Sequence, residues 1–473
     1  MVKDILKKKI SRREAISTGA KIGIAAGIAA VAAGVGGYFG GLSSAPTREV
    51  TKTVPGKERT VTQTIKETIT QTIASPAQTI TLTQTIAPEI PTGPIKIGVN
   101  GPFTGPAARS GADIKNATIL AFEENGNKLL GRPVELIFLD DQSKPEVGVR
   151  AAEDAVAREK IQFILNGWHS SVAVALMDVA AKHKLLSFGH LGATNVVIEK
   201  FKKDPEKYKY WFKGWPTPDK QVMADIEAVK RIVSKGLWKP KNNKFAVLIE
   251  DTDWGRSWGE AFKMFAEQAG WTSVSFDIFK PEETDFAPII TKYKAQEVSL
   301  IGMTSTFEPP TASFLKQRRE LDLKSLIFLD GLAWLANWYE ITGDASDYIL
   351  DGQQSVWAKP ESKAFRDKFK QKFGWDPTPA AAGLEYDYAR MFIDVVERAG
   401  TLDTERLIKL LEVAVFEKGV VMDRYKMDPS THEVVVGEGW FIFPVVQYLK
   451  GEMNIIWPEK QVTKEFQLPP WLV

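Results

Sequence analysis

The chain has 473 residues, no cysteine and a formal net charge of +2, from 61 basic and 59 acidic side chains. The lack of cysteine excludes disulfides, thiolate metal sites and thiol catalysis. After the basic N-terminus the chain is slightly acidic, and its lysines are scattered among glutamates, which argues against a nucleic-acid-binding protein.

The N-terminus has the charge pattern of an export signal. Residues 1–21 carry seven basic and two acidic side chains, and residues 22–42 carry no charge. An uncharged stretch of this length can span a bilayer as a helix, and the preceding positive charge places its N-terminal end in the cytoplasm. Residues 11–16 resemble a twin-arginine signal, although Ala15 replaces the usual Phe. We therefore predict an extracytoplasmic body on a retained membrane anchor, with a cleaved signal as the alternative.

The segment from 43 to 94 is rich in threonine and proline. Thr-Gln-Thr-Ile recurs at 62–65, 70–73 and 83–86. Few large side chains are present to form a core, so we predict an extended stalk. The alternation of Thr with Val or Ile leaves β-pairing or self-association as the alternative.

The body begins at Ile95 and alternates short apolar runs with longer stretches of helical period. The apolar runs are 95–99, 134–138, 161–165, 185–188, 245–249, 299–303 and 325–329. This alternation predicts an α/β fold with largely parallel sheets flanked by helices. About 380 residues exceed what one core usually serves, so we predict two lobes. The Trp- and Pro-containing stretch 210–220 is the first candidate boundary.

Candidate ligand-binding residues lie on the loops that follow the predicted strands. Carboxyl ends of parallel strands and the adjoining helix N-termini are where α/β proteins bind ligands. Ser170 or Ser171 would cap the helix after the strand 161–165, and the loop 189–195 follows the next strand. Asp330 follows the strand 325–329 in the second lobe. Taken singly, these residues are equally consistent with helix caps and turns.

Motifs spread over residues 95 to about 458 resemble a type I substrate-binding protein of the branched-chain amino acid and amide group, the receptors of ABC importers. The motifs are Gly101-Pro102-Phe103-Thr104-Gly105-Pro106 with Gly111, Leu130-Gly131-Arg132-Pro133-Val134-Glu135-Leu136, Asp140-Asp141-Gln142-Ser143-Lys144-Pro145, the Ser170-Ser171 loop, Gly192-Ala193-Thr194-Asn195, Asp253-Trp254-Gly255, Thr284-Asp285-Phe286, Leu315-Lys316-Gln317-Arg318-Arg319-Glu320 and Tyr386-Asp387. Their order and spacing carry the resemblance more than any single motif.

The resemblance implies a hinged, two-lobed protein of the Venus flytrap type. Lobe 1 would comprise 95–217 and 358–434, and lobe 2 would comprise 218–357 and 435–473. The chain would cross between lobes near Pro216, Ala358 and Val434. A ligand closes such a hinge, and a membrane permease recognises the closed form. The body is expected to act as a monomer, without a cofactor and without enzymatic activity.

The resemblance also implies roles for individual residues. Ser171 and Thr194 would bind a ligand carboxylate, while the Gly192 carbonyl and Asp330 would bind an ammonium group. Further candidates for the cleft are Ser170, Trp168, His169, Phe307, Trp334 and Ser110. Ser110 stands where members that bind branched aliphatic amino acids often carry an aromatic residue, so a differently shaped side-chain pocket is expected. His169 and His190 both lie on loops of the predicted cleft, but a metal site would need further ligands that the sequence does not place, so no metal site is predicted.

Two alternative functions remain open from sequence. A ligand-sensing ectodomain for a signalling partner would use the same hinged body. A serine hydrolase would use residues 255–259, which match the Gly-x-Ser-x-Gly elbow, followed by Asp330 or Asp351 and then His432. The elbow requires a strand that runs directly into the turn, whereas residues 250–254 intervene here.

Overall fold

The computed structural model describes residues 93–472, apart from 331–334, 336, 353–356, 358–359 and 438, together with the backbone of three earlier strands. The predicted anchor at 22–42 and the candidate ligand residue Trp334 lie outside these residues. Within the part that is described, no helix combines the length and apolar character needed to cross a bilayer. The chain divides into two compact units, Met1–Thr92 and Gly93–Val473.

The three earlier strands lie in the Thr-rich segment and form one small sheet. They are β1 (Val50–Thr53), β2 (Ile69–Ser75) and β3 (Gln78–Thr83). β1 pairs with β2 in parallel, and β2 pairs with β3 antiparallel. Alternating β-branched residues favour strands. For this segment the sequence left two possibilities, an extended stalk and β-pairing of the residues in which Thr alternates with Val or Ile. The strand pairing described here corresponds to the second possibility.

The first half of the body forms a six-stranded sheet. Its elements are β4 (Ile95–Gly101), α1 (Ala108–Glu124), β5 (Lys128–Leu129), β6 (Arg132–Asp140), α2 (Pro145–Asp154), β7 (Phe163–Leu165), α3 (Ser170–His183), β8 (Leu186–His190), α4 (Asn195–Lys203), α5 (Pro205–Tyr208) and β9 (Trp211–Lys213). The strand order is β5-β6-β4-β7-β8-β9, and every pair is parallel except β5 with β6. We call this sheet and the helices packed on it the first lobe.

The second half supplies a seven-stranded sheet and several further helices. The elements are α6 (Pro218–Ser234), β10 (Lys244–Glu250), α7 (Asp253–Gln268), β11 (Thr272–Phe279), α8 (Ala287–Ala295), β12 (Leu300–Thr304), α9 (Glu308–Glu320), β13 (Leu326–Asp330), α10 (Trp338–Thr342), β14 (Leu350–Gly352), α11 (Pro360–Phe373), α12 (Glu385–Ala399), α13 (Thr404–Leu411), β15 (Val415–Phe416), β16 (Tyr425–Lys426), β17 (Val445–Leu449) and β18 (Glu452–Trp457). The order is β11-β10-β12-β13-β14-β17-β18, parallel from β11 to β14 and antiparallel at β17 and β18. We call this sheet and the helices packed on it the second lobe.

The central strands of the second sheet are buried on both faces, which explains their apolar composition. Every residue of β12 and of β13 is buried, as expected for parallel strands covered by helices on each side. α12 packs on the first sheet, where the rings of Phe392 and Phe163 lie 5.1 Å apart. The chain therefore returns to the first lobe after β14. The two-lobed α/β fold agrees with the sequence prediction, while the predicted lobe limits and hinge crossings stay predictions.

The loops that the sequence singled out lie where this fold positions a site. The first loop follows β7 and leads into α3, and the second loop follows β8 and leads into α4. Asp330 is the last residue of β13, paired in register with Thr304 at the end of β12. These carboxyl ends of strands from both sheets lie beside one cavity, described next.

Candidate functional site

A cavity lies between the two sheets. Its volume is about 410 Å³, counting space open to solvent. Among the described residues, the lining consists of Trp168, Ser170, Leu191, Ala193, Trp215, Trp254, Ser305, Thr306 and Asp330. Three indole rings and a few polar groups around a small space are typical of sites for small molecules.

The first loop reaches the cavity through a tight turn after β7. Asn166 and Gly167 both have positive φ, 63° and 138°. A Cβ on Gly167 would lie 2.2 Å from His190 Nε2, so only glycine fits this approach of the two loops. The Ser170 hydroxyl then accepts hydrogen bonds from the backbone N–H groups of Ala193 at 2.9 Å and Thr194 at 3.2 Å. Ser170 therefore fixes the second loop against the first.

The second loop is held at each of its predicted ligand positions. The backbone N–H of Gly192 donates to His190 Nδ1 at 2.9 Å. Thr194 caps α4, because its hydroxyl accepts from the N–H of Val196 at 3.2 Å. The same hydroxyl lies 2.9 Å from Ser257 Oγ on α7 of the second lobe. A carboxylate that bound here would have to replace some of these internal hydrogen bonds.

Asp330 supplies the carboxylate of the cavity and is only 3% exposed. Gln221 Nε2 on α6 donates a hydrogen bond to Asp330 Oδ2. The Thr304 hydroxyl donates to the Asp330 backbone carbonyl at 2.7 Å. One turn after Gln221, the fully buried Asp225 has a pKa well above its usual value because of burial, and the charge of Asp330 raises it further. Burial and the neighbouring Asp330 therefore favour the protonated form of Asp225.

The two histidines of the predicted cleft are buried and uncharged. Burial lowers the pKa of His169 and of His190 to about 3 in each case. The His169 ring stacks on Phe307 at 5.5 Å, and His190 packs against Trp211 at 5.2 Å. Within the described part of the chain, no group of three acidic or histidine side chains is arranged to hold a metal ion. Both histidines pack against aromatic rings, and His190 also accepts a hydrogen bond from the N–H of Gly192.

Among the residues that the structure describes, three contacts join the two lobes beside the cavity. Ser171 Oγ accepts from the backbone N–H of Asp253 at 3.4 Å, which adds to the Thr194–Ser257 contact and the His169–Phe307 stack described above. Each contact joins a first-lobe residue to a second-lobe residue. These contacts bridge the two lobes beside the cavity in this structure.

The candidate residues fall into separate groups in the structure. Trp168, Ser170 and Asp330 line the cavity. Ser171, Thr194, His169 and Phe307 make the lobe-to-lobe contacts. Gly192 lies on the second loop, where a Cβ would lie 2.6 Å from that of Ala173, and Ser110 is buried in α1. Neither is among the described lining residues, and the ligand role of each stays a prediction.

Sequence reasoning missed several lining residues. They are Leu191, Ala193, Trp215, Trp254, Ser305 and Thr306. Signals for some of them were present in the sequence. Trp254 is the aromatic residue of the Asp253-Trp254-Gly255 motif, and Ser305 and Thr306 directly follow a predicted strand. Trp215 lies in the stretch that was marked only as a boundary.

The hydrolase elbow is absent. Residues 255–259 lie inside α7. The hydroxyl of Ser257 is hydrogen-bonded to that of Thr194 and is not exposed on a strand-to-helix turn. His432 stacks on Phe212 at 4.0 Å and contacts Glu412 at 3.2 Å. The serine hydrolase alternative is therefore wrong.

Two helix-covered, largely parallel sheets with a small-molecule cavity between them define a two-lobed binding protein. A family model described as periplasmic binding protein matches residues 94–447. The chain belongs to this family. It is accordingly a solute-binding protein and not an enzyme.

Individual relatives and solved structures agree with this membership. The chain is 26% identical over 342 residues to a Leu/Ile/Val-binding protein of Rhizobium johnstonii, covering 68% of this chain and 86% of the relative. It is 25% identical to a leucine-, isoleucine-, valine-, threonine- and alanine-binding protein of Pseudomonas aeruginosa, covering 68% and 83%. A leucine-binding protein of Thermotoga maritima superposes with a TM-score of 0.63 at 22% identity, covering 76% and 97%. A Rhodopseudomonas palustris ABC transporter solute-binding protein in complex with 3,4-dihydroxybenzoic acid superposes with a TM-score of 0.64 at 20% identity, covering 76% and 94%.

Proposed function

We propose that this protein is the extracytoplasmic receptor of an ABC importer that binds a small amino acid, or a related amide or carboxylate, in the interlobe cavity. The observation that carries the proposal is the buried carboxylate of Asp330 in a cavity walled by indole rings. A carboxylate at the surface of a cavity can accept charge-assisted hydrogen bonds from a cationic partner, and these are stronger than hydrogen bonds between neutral groups. The ammonium group of an amino acid is such a partner.

The rest of the cavity suits the other parts of an amino acid. Trp168, Trp215 and Trp254 offer apolar surface for a side chain. The carboxylate would bind near Ser171 and Thr194, with the Gly192 carbonyl assisting Asp330 at the ammonium. On binding, the ligand would take over the hydrogen bonds that Thr194 and Ser171 make to the second lobe. The curated relatives named above bind aliphatic amino acids by name, which supports this ligand class.

Closure of the hinge would deliver the ligand to a membrane permease. The hinge would use the crossings near Pro216, Ala358 and Val434, between the lobe ranges predicted from the sequence. Ligand contacts made by both lobes stabilise the closed form, and only such differential contacts shift the equilibrium. The predicted anchor at 22–42 and the segment 43–94 would hold a monomeric body at the outer face of the membrane. No specific observation favours the sensing ectodomain.

A thermal-unfolding screen tests this proposal. The full chain is heated with a panel of amino acids, their amides and small aromatic carboxylates. A ligand at a hundred times its dissociation constant stabilises the folded state by ~2.7 kcal/mol, which gives a measurable shift in Tm. We expect a shift with one or a few α-amino acids of apolar side chain. If no compound with an α-ammonium, amide or carboxylate group shifts the Tm, the proposed ligand class is wrong.

A further inference from the structure

The side chain of Lys213 lies outside the described cavity lining and contacts a loop that forms part of it. Lys213 is the last residue of β9 and is 0% exposed. Its Nζ donates a hydrogen bond to the backbone carbonyl of Ala193 at 2.7 Å. Ala193 lines the cavity, so the lysine fixes a cavity-forming loop without being one of the described lining residues. Burial and, after it, the charge of Lys220 lower the pKa of this ammonium group well below its usual value, while the charge of Asp219 opposes the lowering.

The carboxylate of Glu433 lies close to Lys213 and is only 2% exposed. Its Oε2 lies 3.8 Å from Lys213 Nζ. The backbones are joined as well, since the N–H of Lys213 donates to the His432 carbonyl at 2.7 Å and that of Val434 donates to the Lys213 carbonyl at 3.1 Å. The two residues are therefore held together by side chain and main chain.

Glu433 also holds the start of α6 in the second lobe. Its Oε2 accepts a hydrogen bond from the backbone N–H of Thr217 at 3.2 Å, and its Oε1 contacts Lys220 Nζ. Lys220 directly precedes Gln221, which donates to the carboxylate of Asp330. Hydrogen bonds and one helical turn thus connect Ala193 on one wall of the cavity with Asp330 on the other.

We propose that Lys213 and Glu433 are positioning residues that set the distance between the Ala193 loop and the Asp330 wall. This inference rests on the proposed function, because the Ala193 loop and the Asp330 wall would together form one ligand-binding site. Removing Lys213 takes away the donor that holds the Ala193 carbonyl, and removing the carboxylate of Glu433 takes away the group that holds the Thr217 N–H and Lys220, so each change forces local rearrangement. The loss of either charge therefore loosens both walls and weakens ligand binding at least about tenfold.

Hydrogen exchange of the ligand-free full chain tests the positioning role directly. The variants are Lys213→Met, Glu433→Gln and the double variant. Lys241→Met is the matched control, because Lys241 Nζ forms an exposed ion pair with Glu297 at 2.5 Å. We expect backbone amides in 191–196 and 217–222 to exchange at least about tenfold faster in each single variant, with β12 unchanged. Unchanged exchange in both segments, or a uniform increase over the whole body, would overturn the inference.

Ligand affinity gives the second readout. With an amino acid that stabilises the wild type, we expect Kd to rise in both single variants and to recover partly in the double variant, because the buried lysine and the buried carboxylate are then removed together. Strictly additive losses would overturn the pairing. If Lys213→Met fails to fold, exchange in the double variant decides. If no compound of the panel binds the wild type, the proposed function fails, whereas the exchange result still decides whether Lys213 and Glu433 hold the two walls.

Discussion

The charge of Asp330 is the most direct target for mutagenesis. Asp330→Asn removes the negative charge and keeps the shape of the side chain and an acceptor for the Gln221 amide. Among the described lining residues, Asp330 is the only ionisable one, and it is 3% exposed. Solvent therefore screens its interaction with a ligand little.

The size of the effect follows from the kind of contact that is lost. A hydrogen bond to a charged group contributes roughly 1.5–3 kcal/mol, and each 1.4 kcal/mol corresponds to a factor of ten in Kd. We therefore expect Asp330→Asn to raise the Kd of an α-amino acid about 10- to 100-fold. The deamino analogue of the same ligand should bind the wild type more weakly and should bind wild type and variant about equally.

Isothermal titration calorimetry of the full chain measures all four affinities. Asp367→Asn is the matched control, because Asp367 is exposed and paired with Lys363 at 2.6 Å on the surface of α11. The control should leave Kd unchanged. If Asp330→Asn folds and binds the amino acid as tightly as the wild type does, Asp330 does not bind the ammonium group. Equal wild-type affinity for the deamino analogue would lead to the same conclusion.

Two further substitutions test the interior of the site. Ser170→Ala removes the acceptor of two buried backbone amides and should lower the free energy of unfolding by ~1–3 kcal/mol, measured by urea titration. The control Ser234→Ala, at an exposed position, should leave it unchanged. Equal urea midpoints for Ser170→Ala and the wild type would contradict the role of Ser170. Asp225 has a raised pKa in the folded state. Its contribution to the free energy of unfolding is therefore fully present below the unfolded pKa near 3.8 and is lost as pH rises through the folded pKa. Asp225→Asn should abolish this loss, so that the variant gains stability relative to the wild type between pH 4 and pH 7. An unchanged difference over that range would show that Asp225 ionises normally.

The sequence predicted the architecture because the strand signals were local. The apolar runs 95–99 and 161–165 overlap β4 and β7, and each is bounded by polar or glycine-containing turns. A loop that follows such a strand lies at a known edge of the sheet, which is why Ser170 and Asp330 could be placed beside a cleft. For these two residues, the hydrophobic periodicity and the order of the strands were enough to predict their position.

The remaining site residues depend on tertiary contacts that no local pattern encodes. Lys213 follows Trp211 and Phe212 in a short strand, where a lysine is normally solvent-exposed, and its burial results from Glu433 more than two hundred residues later. Ser257 matched a catalytic motif in sequence, yet the helix α7 directs it to Thr194. Residues brought together by packing between distant segments were therefore the ones that sequence reasoning missed.

The return of the chain to the first lobe has a consequence for biogenesis. The Phe163–Phe392 contact joins the first sheet to a helix made 229 positions later along the chain, as the two residue numbers show. The first lobe cannot bury that face of its sheet until residues near 399 have left the ribosome or the export channel, so its folding involves long-range contacts that form slowly. Until then the exposed apolar face is open to aggregation or to chaperones. A chain truncated before residue 385 would lose α12 and leave this face uncovered, although every strand of the first sheet would be present.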